Sequence, residues 1–101
     1  EPGPKPDTSE LDPSMNYRRT PFAQLLHAGD TWVGASHDGK RILQFDAAAV
    51  GVLELLQDPV TPKATVDLIL AAFPNADPDE IEVNTFKILR NFLKVGYIAR
   101  T

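Results

Sequence analysis

Residues 77–98 read DPDEIEVNTFKILRNFLKVGYI, and this stretch marks both ends of a helix in its own side chains. Asp77 is placed to cap the start, because its carboxylate accepts from free backbone N–H groups of the first turn. Pro78 suits the first helical position, where no N–H is needed. Asp79 and Glu80 put negative charge at the positive end of the helix dipole, with Glu80 where a capping box wants an acid. Gly96 is the stop, since glycine takes the left-handed conformation at little cost. At about 100° per residue, Ile81, Thr85, Ile88, Leu89 and Phe92 share one face, the expected core face. Val83, Phe86, Arg90 and Leu93 form a second stripe beside it. That stripe either widens the apolar arc of a small domain or lines a groove for a partner.

Working back from this helix, Thr61 caps a second one, with Pro62 at its first position. Val66, Ile69, Leu70 and Phe73 follow helical spacing and are expected to face the core. Pro74-Asn75-Ala76 separates the two helices. Earlier still, Asp46 caps a helix from Ala47 to about Gln57, with Ala49, Val52, Leu53 and Leu56 on one face. Gly51 within it costs about 1 kcal/mol against alanine, which suggests close packing against another backbone there. Asp58-Pro59 ends that helix.

Upstream the pattern changes to short extended runs. Residues 22–27, FAQLLH, read as a first strand, and Ala28-Gly29-Asp30 as a tight turn. Residues 31–36, TWVGAS, form the second, with Trp32 and Val33 supplying β propensity. His37-Asp38-Gly39-Lys40 is the strongest hairpin signal, because Asp-Gly tolerates positive φ angles. Arg41, Ile42, Leu43, Gln44 and Phe45 make the third strand. After Gly96, Tyr97-Ile98-Ala99 is a short extended end expected to fold back on the sheet or on the first helix. The predicted fold class is α+β: a winged-helix-like arrangement, with a three-stranded antiparallel sheet followed by three helices.

The chain has 101 residues, which suits one small domain. Residues 1–16 hold Pro2, Pro4, Pro6 and Pro13 among charges and read as a flexible tail; residues 17–101 are the expected domain. The opening EPGPKP reads as a trimmed end or a leftover. Cysteine is absent, so a disulfide framework or a thiolate metal site is excluded, and a reducing cytoplasm is the expected location. No apolar run reaches the length of a membrane span, and no signal peptide is read, so no membrane partner is expected. The formal net charge of −4 argues against nucleic acid.

Catalytic signals are sparse. His27 and His37 are the only histidines, and neither belongs to a metal-ligand pattern. No nucleophile elbow, P-loop or dinucleotide fingerprint occurs. The acids at 77, 79, 80 and 82 are explained by capping. The expectation is a protein that is not an enzyme, with no catalytic residue, metal or cofactor. Lys87, Arg90 and Lys94 on the last helix leave a DNA-binding or regulatory winged helix as the alternative.

The ordered combination of these elements resembles the PqqD-like proteins, the RiPP recognition element family. Residues 45–58, FDAAAVGVLELLQD, resemble that family's first helix, and residues 61–74 its second. Asn75-Ala-Asp-Pro-Asp-Glu-Ile81 and Leu93-Lys-Val-Gly-Tyr-Ile98 resemble the opening and close of its third. Thr65 stands where the family usually has a bulky aliphatic, Gly51 where alanine is commoner, and Asp46 where Asn is more frequent. The resemblance implies a non-catalytic peptide chaperone. It binds the leader of a ribosomally synthesised precursor peptide by β-augmentation and presents it to a modifying enzyme, often a radical SAM maturase, as in pyrroloquinoline quinone or related RiPP biosynthesis. Carried over by position, the receiving edge is Arg41, Ile42, Leu43, Gln44 and Phe45. The groove wall is drawn from Val83, Phe86, Arg90 and Leu93, and Lys87 or Arg90 is placed to pair with an acidic leader side chain. An unpaired strand edge also leaves a homodimer open.

Overall fold

The sheet is organised by two consecutive hairpins, and the helices follow it. The structure, a computed structural model, describes residues 11–21, 23–35 and 39–101. Its elements are β1 (Tyr17–Arg19), β2 (Leu26–Ala28), β3 (Thr31–Ala35), β4 (Ile42–Phe45), α1 (Ala47–Leu55), α2 (Pro62–Ala72), α3 (Pro78–Val95) and β5 (Ile98–Arg100). The chain is α+β, with an antiparallel sheet in the order β2-β3-β4 ahead of three helices, as the sequence led one to expect. Of the expected tail, residues 1–10 lie outside the described residues. From there, Leu11 is buried in the core, and the Asp12 N–H donates to the Tyr17 hydroxyl at 3.0 Å.

The first strand of the sheet is shorter than expected and begins at Leu26; Phe22 lies outside the described residues. The approach to it is a turn, in which the Ala23 N–H donates to the Thr20 carbonyl at 3.0 Å. Pro21 sits inside this turn and has no donor for a ladder. Gly29, at φ +64°, begins the two-residue link from Ala28 to its partner Thr31. Of the second hairpin turn, residues 36–38 lie outside the described residues, and pairing resumes at Ala35 opposite Ile42 and runs to Trp32 opposite Phe45. Strand alternation then puts Trp32, Gly34, Leu43 and Phe45 on the inner face, and Leu26, Val33, Ile42 and Gln44 on the outer.

The C-terminal segment folds back on the sheet through Tyr97, whose ring packs on Phe45, but it adds no strand to it. It pairs as β5 with β1 in a separate ribbon, Arg19 opposite Ile98 and Tyr17 opposite Arg100. Tyr17 and Ile98 are both buried, and the ribbon is stitched to the loop after α1. There Tyr17 and Val60 exchange backbone bonds of 2.8 and 3.0 Å, and the Arg19 N–H donates to the Leu56 carbonyl at 2.8 Å.

Each helix starts on its expected cap. Asp46 accepts from the Ala49 N–H at 2.9 Å, Thr61 from Ala64 at 3.1 Å and Asp77 from Asp79 at 3.0 Å. A cap of this kind is worth about 1 kcal/mol. Gly96 ends α3 in the left-handed region at φ +83°. Behind it the Tyr97 N–H reaches the Phe92 carbonyl and the Gly96 N–H the Leu93 carbonyl, the paired bonds of a Schellman turn.

Two helical expectations are corrected. Gly51 is not a close-packing site: it is exposed, and a Cβ built on it meets nothing within 4 Å. Phe73 does not point into the core and is 63% exposed, because α2 ends at Ala72 and the helical phase no longer aims it inward. The core takes Ala49, Val52 and Leu53 from α1 and Leu56 from its C-cap, Thr65 and Val66 from α2, and Thr85, Leu89, Phe92 and Leu93 from α3. Ile81 and Ile88 are half-buried at its margins. Thr65 is fully buried, and its hydroxyl donates to the Thr61 carbonyl at 2.9 Å, so a polar side chain is accommodated inside the helix pair.

Candidate functional site

β4 is the outer strand of its sheet. β3 pairs with one of its edges, and among the described residues no strand pairs with the other. Beside it, between the end of β4, the start of α1 and the flank of α3, lies an open groove of about 770 Å³. Its floor is apolar, with Phe45, Ala48, Ala49 and Ile88; its helix wall carries Asn84, Lys87, Arg90, Asn91 and Lys94. Gln44 and Asp46 complete the strand side.

The strand is held in place by aromatic packing. The Phe45 ring lies 5.4 Å from Phe92 and 5.5 Å from Tyr97, centroid to centroid. Tyr97 in turn ties the end of α3 to the sheet, its hydroxyl donating to the Ala35 carbonyl at 2.7 Å. Burial pushes the Tyr97 hydroxyl above the ordinary tyrosine range. Gly34 makes this approach feasible, since a Cβ there would overlap the Tyr97 hydroxyl and stand 2.8 Å from Leu25 Cδ2.

The groove is electropositive within an acidic chain. Lys87, Arg90 and Lys94 line it, against one acid, Asp46, whose carboxylate already caps α1. None of the three cations has Asp or Glu three or four positions away in the sequence, so no intrahelical ion pair neutralises them.

The structure brings together Gln44, Phe45, Lys87 and Arg90 of the residues singled out from sequence. Arg41 is exposed ahead of β4, Ile42 is 79% exposed on the outer face, and Leu43 points inward, half-buried. Apart from Arg90, the second stripe of α3 lies elsewhere. Val83 is 63% exposed, away from the groove, and Leu93 is buried in the core. Phe86 faces α2, lining a separate depression of about 270 Å³ with Pro13, Val66 and Leu70. The wall residues not singled out for this groove are Asn84, Ile88, Asn91 and Lys94. Their signal was a polar stripe: 84, 87, 91 and 94 repeat at helical spacing, a pattern invisible to a search for apolar faces.

Other chemistry is thin. His27 stacks on Trp32 with centroids 4.3 Å apart. Among the described residues no three His, Asp or Glu side chains converge as metal ligands, and no helix is long and apolar enough to cross a membrane.

No family model and no curated protein matches the chain. It is similar to a solved structure, the solution NMR structure of the PqqD truncation of Methylobacterium extorquens PqqCD. That protein is described as a functional and stand-alone recognition element for ribosomally synthesised and post-translationally modified peptides. The identity is 20%, the TM-score 0.70, and the match covers 92% of this chain and 98% of that one. The two chains share a fold over nearly their whole length.

Proposed function

We propose that this chain is a non-catalytic peptide chaperone, a PqqD-like recognition element. In this reading it takes the leader of a ribosomally synthesised precursor peptide as an added strand on β4 and presents it to a modifying enzyme. A radical SAM maturase in the cytoplasm, in pyrroloquinoline quinone or related biosynthesis, is the partner this reading expects. The observation that carries it is the outer strand β4 opening onto a groove walled by α3. An extended peptide there gains backbone hydrogen bonds from β4, and its alternate side chains drop toward the helix. The fold shared with a stand-alone recognition element supports the same reading.

The decisive experiment is an NMR titration of the labelled protein with candidate leader peptides. Shifts concentrated on residues 41–45 and on Asn84, Lys87, Ile88 and Asn91 are expected. Gln44→Pro should abolish them, because proline bends the edge and cannot serve the new ladder. Shifts along α3 with duplex DNA, and none with any leader, would replace the proposal by a DNA-binding one.

A further inference from the structure

The helix wall of the groove says which peptide it takes. Three cations along one flank of α3 are unusual in a chain of net charge −4, and they repel each other. Lys87 and Arg90 are three apart and Arg90 and Lys94 four apart, spacings at which like charges destabilise a helix. Only Lys94, in the last turn, is helped by the helix dipole. The lone acid of the groove, Asp46, accepts from the Ala49 N–H. No carboxylate of α3 offsets these charges within the helix, so the groove wall favours an anionic occupant.

The spacing is also informative. Seven residues of helix carry Lys94 about 10 Å beyond Lys87 along the axis. In an extended strand, residues on one side repeat every two positions, about 7 Å apart, or about 14 Å over four. Flexible lysine side chains reach the four-residue spacing, and Arg90 stands between them. Beside the three cations, Phe45, Ile88 and the alanines of α1 give the groove an apolar floor.

Resting on the strand-addition proposal, we infer that the groove selects an extended peptide of pattern acid–x–aliphatic–x–acid. The two carboxylates meet Lys87 and Lys94, with Arg90 shared, and the aliphatic side chain between them settles on the apolar floor. Charge complementarity favours this occupant over nucleic acid. A duplex would also meet Asp79, Glu80 and Glu82 at the other end of the same helix.

The test uses the full chain and three 13-residue synthetic peptides on a common Thr/Val/Gln background. One carries Glu-x-Leu-x-Glu at its centre, one Gln-x-Leu-x-Gln, and one two Glu residues three apart, so that they point to opposite faces. Binding is followed by amide shifts at 50 mM salt. The first peptide should shift β4 and α3 together and bind about tenfold more tightly than the Gln version, as two ordinary surface ion pairs allow. The mis-spaced peptide should fall between them, and the preference should shrink to about twofold at 0.5 M salt. In the triple variant Lys87→Gln, Arg90→Gln, Lys94→Gln the Glu-to-Gln preference should fall to about one. Equal affinity of the Glu and Gln peptides, with β4 shifts intact, overturns acid selection and leaves strand addition standing. No β4 shift with any of the three overturns both. Tighter binding of a 20-base-pair duplex to the Lys87–Lys94 flank overturns the choice of peptide over nucleic acid.

Discussion

Adding a methyl group to Gly34 tests how the sheet is fixed to the helices. The new Cβ would overlap the Tyr97 hydroxyl and approach Leu25 Cδ2 at 2.8 Å and the Gln24 carbonyl oxygen at 3.2 Å. Tyr97 cannot retreat freely, because its hydroxyl donates to Ala35 and its ring packs on Phe45 and Phe92. Overpacking of this kind costs about 2 kcal/mol, and losing the Ala35 bond adds about 1, so Gly34→Ala should destabilise by about 3 kcal/mol. Tyr97→Phe alone removes only the hydroxyl and should cost about 1 kcal/mol. Without that hydroxyl the methyl group has room, and the remaining conflict with Leu25 is relieved by a rotamer change. Gly34→Ala should then cost about 1.5 kcal/mol, leaving a coupling of about 1.5 kcal/mol between the two sites. Urea unfolding of the four proteins of this cycle, followed by circular dichroism at neutral pH, measures it. Additivity within about 0.3 kcal/mol would show that Tyr97 does not pin the sheet at Gly34.

Three further outcomes follow from the same geometry. The raised Tyr97 ionisation means the fold holds the protonated phenol more tightly than the unfolded chain does. Its contribution is complete below about pH 10, where unfolded tyrosine is protonated, and is lost as pH rises through the higher folded value; the urea midpoint should show this loss, and Tyr97→Phe should remove it. Gly51→Ala should stabilise by about 0.5–1 kcal/mol, read as a rise in urea midpoint, because the site is helical, exposed and open. Phe86→Ala should cost about 2 kcal/mol by loosening α2 against α3, yet leave peptide affinity in the β4 groove within twofold by calorimetry.

The helices were legible because their ends are written locally. Asp46, Thr61-Pro62, Asp77-Pro78 and Gly96 are capping chemistry, and each works within one turn of itself. The sheet was legible in number and order, since Gly29-Asp30 and the Asp-Gly signal separate the strands. The β1–β5 ribbon was not, because Tyr17 and Arg100, like Arg19 and Ile98, find each other across nearly the whole chain and no local pattern announces such a pairing. Gly51 misled for a related reason: a helical glycine signals either close approach or mere tolerance, and only the neighbours decide. The role of Gly34 likewise depends on Tyr97, 63 positions away. On α3 the core face was readable as a phase of apolar residues. The groove face is polar, so its place followed only once β4 was seen beside Asn84, Lys87 and Asn91.

An open sheet edge is normally a hazard, because it templates pairing with any extended chain. Here the surroundings of β4 decide which chains can use it. Pairing of two copies edge to edge about a two-fold axis would bring two rims of Lys87, Arg90 and Lys94 toward one another. Like charges a few ångströms apart in a partly desolvated groove oppose that contact. The same charges favour an incoming strand that supplies carboxylates. The edge itself is preset: Phe45 is held by Phe92 and Tyr97, and β3 is pinned through Ala35, so under the proposed function β4 would have little left to order on receiving a peptide. Most of the conformational cost then falls on the peptide, and replacing Tyr97 by phenylalanine should weaken peptide binding without touching any groove residue. Unaltered affinity in that variant, alongside its expected loss of stability, would mean that the edge holds its shape through Phe45 alone.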